Sequence, residues 1–249
     1  MLNKQREQEI LSILKISGFV SVKHLCDTLF ASESSIRRDL RSLEERGLIK
    51  RSYGGASLVT NYSNIVTFNH RTRQNTFSKR DIAQKALPLI KDGSIIFLDQ
   101  SSTAFYLAGE IINRSSVTVV TNNIEIMMLL SNSGIKLISS GGMLSSENRN
   151  CLIGDEAQKT FENIFADYMF FSVKGISDDA VVTDCSREEI SLRNAMLKNS
   201  DKKVLLCDST KFGVRAPFKQ CNLVDVDYLI SEGKSAFKFS EFENKVKLL

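Results

Sequence analysis

Side chains suited to binding anions are concentrated in one short stretch of this sequence, SSIRRDLRSLEERGLIKRSYGGA (34–56). Arg37 and Arg38 are adjacent, and Arg41 follows three residues later. A guanidinium group forms paired hydrogen bonds with phosphate oxygens and with the edge of guanine. A basic surface of this kind either contacts nucleic acid or is only solvated. The secondary structure predicted around it distinguishes the two possibilities.

The residues around the arginines predict a short helix. Ser32 is a suitable N-cap, and Ile36, Leu40 and Leu43 recur at the i, i+4, i+7 spacing of a buried helical stripe. That stripe leaves the three arginines on the exposed face. Gly47 is expected to end the helix, since glycine accepts the left-handed conformation common at that position.

A hairpin is predicted directly after this helix and two short helices before it, the second capped by Ser21. The segment LIKRSYGGASLV (48–59) alternates polar and apolar residues, and Gly54 and Gly55 suit its tight turn. Three short helices and a basic two-stranded wing are typical of a winged helix-turn-helix, which places its recognition helix in the major groove of DNA. We expect the DNA-contacting residues to be Ser34, Ser35, Arg37, Arg38, Arg41, Lys50, Arg51 and Tyr53.

One carboxylate lies inside this basic stretch. Asp39 follows Arg38 directly, and a carboxylate facing phosphate would be repelled. We therefore expect Asp39 to orient an arginine or to cap locally rather than to touch DNA.

A second group of polar residues follows predicted strands in the C-terminal part of the chain. Asp99 ends the strand IIFLD, and a hydroxyl-rich loop leads into a helix whose free amides suit an anion, although such loops often serve only as caps. Ligands in open α/β sheets bind beyond the carboxyl ends of the strands. The expected effector-binding residues are Asp99, Ser101, Ser102, Thr103, Thr121, Asn122, Gly141, Gly142, Lys174 and Lys211.

Composition narrows the class of protein. The chain has 249 residues, is 42% hydrophobic and carries a net charge of +4. The first 60 residues contain ten Lys/Arg against seven Asp/Glu, a difference of three that accounts for most of this excess. No apolar run is long enough to span a bilayer and no secretory signal is present, so we expect a cytoplasmic protein. The five scattered cysteines are expected to be free thiols, with no metal site and no cofactor.

The hydropathy pattern divides the chain into three parts. We expect a winged helix-turn-helix domain over 1–57, a polar linker over 58–78 and an α/β domain over 79–249. In the last part, apolar strands alternate with helices, which favours a mostly parallel sheet covered on both faces.

The N-terminal stretch resembles the signature of the DeoR family of bacterial transcriptional regulators. Ser35 stands where that family usually has threonine and keeps the hydroxyl. The matching residues are Ser32, Ile36, Arg37, Arg38, Asp39, Leu40, Leu43, Glu44, Gly47, Leu48, Ile49, Arg51, Gly54 and Gly55.

The resemblance continues through the motifs FNHR (68–71), KRDIA (79–83), VVTNN, SGG, NAM and DSTKFG, and thus over nearly the whole chain. It implies a sensor domain with the fold of sugar-phosphate isomerases and CoA-transferases, and a phosphorylated sugar or related metabolite as effector. Three positions depart from the family pattern, and one of them is Ser172, which replaces a glycine. Ser101 replaces a glycine of the phosphate loop, and Lys174 replaces a pocket aspartate, where it would pair with an acidic group of the ligand or with Asp99.

Three function classes follow from these observations. The leading one is a sequence-specific DNA-binding regulator, a repressor of carbohydrate genes, which acts as a homo-oligomer on an operator and has no membrane partner. The second is a phosphosugar isomerase or hydrolase that uses the C-terminal fold, with Asp99, Glu188, Glu189 and Asp208 as candidate carboxylates. The third, a protein-interaction adaptor, predicts that neutralising Arg37 and Arg38 has no effect.

Overall fold

The computed structural model describes residues 3–17, 19–52, 54–58 and 68–249, which belong to two compact units, Met1–His70 and Arg71–Leu249. The helices are α1 Asn3–Ser17, α2 Val22–Leu29, α3 Glu33–Glu45, α4 Phe68–Arg73, α5 Thr76–Ala86, α6 Ser102–Glu110, α7 Ile124–Leu130, α8 Asp155–Glu162 and α9 Arg187–Lys198. In the described part of the chain, no helix has the length and apolar character needed to cross a membrane.

The described strands have two to seven residues each. They are β1 Phe19–Ser21, β2 Ile49–Ser52, β3 Gly55–Leu58, β4 Ile95–Leu98, β5 Thr118–Thr121, β6 Lys136–Ser139, β7 Met143–Leu144, β8 Leu152–Ile153, β9 Ala166–Phe171, β10 Gly175–Ile176, β11 Val181–Asp184, β12 Ser200–Leu206, β13 Phe218–Asn222, β14 Tyr228–Ile230 and β15 Lys247–Leu248.

The N-terminal unit is a winged helix-turn-helix. Ser21 and Ser32 cap α2 and α3 by accepting the amides of His24 and Ser35, as the sequence predicts. Gly47 follows α3 with φ +69°, which confirms its role at the end of the helix. The wing has a third strand that the sequence reading missed, because β1 pairs with β3 in the order β1-β3-β2. Ile10, Leu14, Leu25, Ile36, Leu40, Leu43 and Ile49 are fully or almost fully buried and form the centre of this unit.

The C-terminal unit is built on a seven-stranded sheet of order β15-β14-β12-β9-β4-β5-β6, in which all neighbours are parallel. Successive residues of each strand face opposite sides. In β4, Ile96 and Leu98 pack in the layer with α5, α6 and α7, whereas Phe97 packs in the layer with α8 and α9. The expected fold class, a mostly parallel α/β domain after a winged helix-turn-helix, is confirmed.

Smaller antiparallel elements complete this unit. β10, β11 and β13 form a three-stranded sheet, and β7 pairs with β8. Within the expected linker 58–78, residues 59–67 lie outside the described part, while Phe68–Arg73 and the start of α5 are helical. The helical stretch after residue 67 was missed because its sequence is polar and lacks an apolar stripe. The boundaries of the linker stay a prediction.

Candidate DNA and effector sites

The cationic face of α3 is open to solvent. Arg37, Arg38 and Arg41 are exposed, opposite the buried stripe that ends at Leu43. Arg37 forms an i,i+4 ion pair with Glu33, at 2.6 Å between Nη2 and Oε1. Within the described ranges, the side chains of Arg38 and Arg41 have neither a salt bridge nor a hydrogen bond, so their guanidinium groups are available to an incoming anion.

Small hydroxyls surround the start of the same helix. Ser32 Oγ donates to Ser35 Oγ at 2.9 Å and lies 3.1 Å from Ser34 Oγ. Ser34 is exposed and Ser35 is half-buried. The hydroxyls and the first-turn amides therefore form one polar end of α3, next to the arginines.

Among the described residues of the wing, Lys50 has no side-chain partner, whereas Arg51 is engaged. Lys50 is exposed on β2, and Tyr53 lies outside the described residues. Arg51 donates from its backbone amide and from Nε to Glu44 of α3, at 2.9 and 2.5 Å. These two bonds lower the pKa of Glu44 below its ordinary value. In this structure Arg51 joins the wing to α3, a role that the sequence did not indicate.

Asp39 orients an arginine from another helix. Its carboxylate is fully buried and accepts from Arg6 Nε at 2.5 Å and from Nη2 at 3.2 Å. A second ion pair joins Glu7 of α1 to Arg46, the residue that follows α3, at 2.6 Å. The expectation that Asp39 holds an arginine is confirmed, but the arginine lies on α1.

The second candidate site begins at the carboxyl end of β4. Asp99 is fully buried and accepts the amides of Ser101 at 3.0 Å and Ser172 at 3.2 Å. Its oxygen Oδ2 lies 3.2 Å from Nε of Arg193, which is 1% exposed. The cation beside Asp99 is therefore Arg193, while Lys174 is exposed. The alternative in which Lys174 pairs with Asp99 is wrong.

The hydroxyl-rich loop after β4 is partly a helix cap. Ser101 Oγ accepts the amide of Ala104 at 3.1 Å, and its φ of −77° suits any residue. The amides of Ser102 and Thr103 are the ones that an α-helix leaves without partners in its first turn. Thr103 Oγ1 is buried and has no hydrogen-bond partner in the part of the chain that the structure describes. The side chain of Ser101 thus points into the cap, and two amides and one hydroxyl remain for an anion.

Some polar atoms at the ends of the neighbouring strands are used by the fold, and others have no partner among the described residues. Thr121 donates to the carbonyl of Leu98 and accepts the amide of Asn123, at 2.7 and 3.1 Å. Asn122 Nδ2 lies 3.3 Å from Gln100 Oε1, whereas its Oδ1 is buried without a partner among the described residues. Thr121 is therefore fully used by the fold, and Asn122 retains one acceptor.

The glycine pair has a structural explanation. Gly141 and Gly142 have φ angles of +65° and +93°, which favour glycine. A Cβ on Gly142 would lie 2.4 Å from the carbonyl oxygen of Ile153. This glycine is required for close packing of the β7–β8 hairpin, and a ligand is not needed to explain it.

A buried network around Glu189 was not anticipated from the sequence. Its carboxylate accepts from Gln100 Nε2 and Asn148 Nδ2, both at 2.8 Å, and lies 3.6 Å from Arg193 Nη2. Arg193 also donates to Asp184 at 2.9 Å. Glu189 is among the carboxylates that the sequence offered, but its partners Asn148 and Arg193 were missed because they lie in a loop and in α9, far from Asp99 in the sequence.

A second cluster lies at the end of β12. Lys211 Nζ donates to Ser172 Oγ at 2.7 Å and lies 3.6 Å from Asp208 Oδ2. Lys79 is 4% exposed and donates to the carbonyls of Arg71 and Gln74. Burial and the nearby Lys211 lower the pKa of Lys79 to about 8. Ser172 thus links Lys211 to the Asp99 loop. No group of three or more candidate metal-binding side chains occurs among the described residues.

Comparisons with known proteins agree with this division of the chain. Residues 6–61 match a DeoR-like helix-turn-helix domain, and residues 74–233 match the DeoR C-terminal sensor domain. The HTH-type transcriptional regulator GolR of Listeria innocua is 35% identical over 92% of this chain and 91% of its own. The glycerol-3-phosphate regulon repressor of Escherichia coli is 29% identical over 93% and 92%.

The solved structures that align with this chain include enzymes. Ribose 5-phosphate isomerase A of Methanocaldococcus jannaschii aligns with 54% of this chain and 53% of its own, at 20% identity and a TM-score of 0.41. The family models and the sequence relatives cover both units. The chain belongs to the DeoR family of HTH-type transcriptional regulators.

Proposed function

We propose that this protein is a repressor that binds operator DNA through α3 and the wing and responds to a phosphorylated sugar in its C-terminal unit. The observation that carries the DNA-binding part is the exposed face of α3, where Arg38 and Arg41 have no protein partner in the described residues. Each phosphate neutralised by such a residue lowers the slope of log K against log salt by about 0.9.

Salt titration on a duplex selected by the protein from a random library tests this part. Fluorescence anisotropy of the full chain should give an affinity that falls steeply between 50 and 200 mM salt, by roughly tenfold or more. Arg38→Ala should weaken binding and reduce the slope by about one. Lys159→Ala removes the same charge from an exposed position on α8 and should change neither. Failure to select any duplex, or equal effects of the two variants, contradicts the proposal.

The effector part rests on groups that the fold leaves unsatisfied. The amides of Ser102 and Thr103, together with Lys211 Nζ, supply donors for a phosphate group. Thr103 Oγ1 and Asn122 Oδ1 are buried polar atoms without partners in the described ranges. A buried polar atom left unpaired costs about 1–3 kcal/mol, which a hydroxylated ligand would recover. The name of one relative, the glycerol-3-phosphate regulon repressor, supports the same ligand class.

Calorimetry with inorganic phosphate, glycerol 3-phosphate and ribose 5-phosphate tests the effector class. For the compound that binds, Lys211→Met should reduce affinity by roughly tenfold or more, because a charge-assisted bond is worth about 1.5–3 kcal/mol. Lys174→Met is the matched control, and we expect a change of less than about threefold because the Lys174 side chain is exposed. If Lys174→Met has the larger effect, the phosphate lies elsewhere.

The proposal is for a regulator without catalytic activity. Asp99 is held by Arg193 and two amides, Glu189 by Gln100 and Asn148, and Asp208 by Lys211 and Asn75. A general base needs an unencumbered lone pair near the substrate, and these carboxylates are already engaged. Turnover of ribose 5-phosphate by the full chain would contradict this.

We also propose that the protein works in the cytoplasm as a homo-oligomer, because one winged helix covers only a short site and paired half-sites need two. Light scattering of the purified chain, alone and with the selected duplex, measures the number of copies. A single copy on a full-length site would contradict this part.

A further inference from the structure

The segment 71–75, through which the chain enters the C-terminal unit after residues 59–67, is fastened to that unit by side chains. Tyr106 Oη donates to the carbonyl of Thr72 at 2.9 Å. Lys79 Nζ donates to the carbonyls of Arg71 and Gln74. These bonds fix the backbone of the segment from two helices, α5 and α6.

Asn75 makes the third attachment, in an unusual way. It is the N-cap residue of α5, yet its φ of 48° and ψ of 40° are left-handed and its side chain makes no cap hydrogen bond. N-cap residues usually adopt an extended conformation and accept an amide of the first turn, which is worth about 1 kcal/mol. Here Nδ2 donates instead to Asp208 Oδ1 and Thr210 Oγ1, both at 3.0 Å. The side chain is therefore used for contact with the end of β12 and not for its own helix.

Asp208 connects this attachment to the proposed anion pocket. It is 1% exposed and lies 3.6 Å from Lys211 Nζ. Although burial raises the pKa of Asp208, the cation Lys211 and hydrogen bonds from Thr210 and Asn75 hold it below its ordinary value. Lys211 donates in turn to Ser172 Oγ, and the amide of Ser172 donates to Asp99. A continuous chain of polar contacts thus runs from the Asp99 loop to Asn75.

We propose that Asn75 is a positioning residue that couples occupancy of the anion pocket at Lys211 to the segment 71–75, and so to the attached DNA-binding unit. An anion at Lys211 competes with Asp208 for the ammonium group. The carboxylate then changes its hold on the Asn75 amide, which alters how the segment is fastened. The predicted effect on DNA binding rests on the proposed function. The coupling between Lys211 and the segment 71–75 does not depend on that function.

Two variants separate the side chain from the backbone. Asn75→Gly removes the amide and keeps the left-handed conformation without strain. Lys211→Met changes the pocket without requiring a known ligand. Asn163→Gly is the matched control, since Asn163 lies at the end of α8 and its side-chain amide donates to the carbonyl of Lys159 within the same turn.

Hydrogen exchange on the full chain tests the link directly. Lys211→Met should change the exchange rate of the amides of 71–78 by roughly fivefold or more in chains that keep Asn75, including the Asn163→Gly control. In the Asn75→Gly background the same substitution should change it by less than about twofold. Equal changes in the two backgrounds overturn the inference.

DNA affinity on the selected duplex provides the second readout. Lys211→Met should change Kd by about fivefold or more with Asn75 present and by less than about twofold in Asn75→Gly. Lys211→Met could change hydrogen exchange only when Asn75 is present and yet change Kd equally in both backgrounds. That result would overturn the inference that Asn75 acts on the DNA-binding unit. If no duplex is selected, the proposed function fails, and the exchange measurement still decides the link.

Discussion

Removing the carboxylate of Asp39 should destabilise the DNA-binding unit without touching its exposed arginines. Asp39 is 0% exposed, and its two oxygens accept from Nε and Nη2 of Arg6, whose side chain is 13% exposed. Asp39→Ala leaves that guanidinium nearly buried and without its carboxylate. Breaking a buried ion pair by removing one partner costs about 3–5 kcal/mol. Because Arg6 retains some contact with water, we expect a loss in the free energy of unfolding at the lower end of this range, about 3 kcal/mol.

Hydrogen exchange of the α3 amides measures this loss in the full chain. A loss of about 3 kcal/mol corresponds to roughly 150-fold faster exchange, at about 1.4 kcal/mol per tenfold. Glu7→Ala is the control, since it breaks the ion pair between Glu7 of α1 and Arg46, which follows α3 and is 35% exposed. The solvated arginine there should limit the loss to about 1 kcal/mol.

A double replacement separates the pair from the packing around it. Arg6→Met with Asp39→Leu removes both charges and keeps much of the volume, so the free energy of unfolding should stay within about 1 kcal/mol of the wild type. The Arg6–Asp39 ion pair does not stabilise α3 if Asp39→Ala accelerates exchange no more than Glu7→Ala does. The same conclusion holds if the double variant is as unstable as Asp39→Ala.

Three further outcomes are expected. Glu33→Gln frees Arg37 from an exposed pair worth about 0.3–0.5 kcal/mol and removes a charge that phosphate repels, so duplex affinity should rise about two- to fivefold in the anisotropy assay; unchanged affinity contradicts this. Phe30 is 96% exposed with φ 49°, so Phe30→Gly should raise the free energy of unfolding in urea by about 1 kcal/mol, whereas Phe30→Ala should not. Burial and the nearby Lys211 lower the pKa of Lys79 to about 8, and the unfolded chain keeps this proton to about pH 10.5. The free energy of unfolding should therefore rise between about pH 8 and 10.5, relative to Lys79→Met, by up to about 3 kcal/mol; parallel curves would contradict it.

The recognition helix was predictable because its signals are local. Ser32, the stripe ending at Leu43 and Gly47 lie within 16 residues, and each acts through hydrogen bonds or packing at short sequence separation. The strands of the sheet were equally predictable from the sequence, because buried parallel strands are continuous apolar runs. Strand β1 was not, because a three-residue strand shows no periodicity and exists only through its pairing with β3.

The partners of buried charges could not be predicted in the same way. Asp39 pairs with Arg6, 33 residues earlier, and Asp99 lies beside Arg193 on α9. A charge in a sequence indicates that a partner is needed when it is buried, but the fold selects which one. Lys174 was the nearest candidate by family position, and the structure leaves it exposed. Long-range pairing of this kind becomes visible only when the sheet brings the strand ends and α9 together.

The contacts of Asp99 connect two loops of the proposed effector site. Its oxygens accept amides from the ends of β4 and β9, so the carboxylate joins the two loops that carry Ser101 and Ser172. Arg193, which lies on α9, balances the negative charge of Asp99. These contacts fix the loop from which the first amides of α6 emerge. Under the proposed function, Asp99 therefore preorganises the donors for an anion, which lowers the ordering cost of binding.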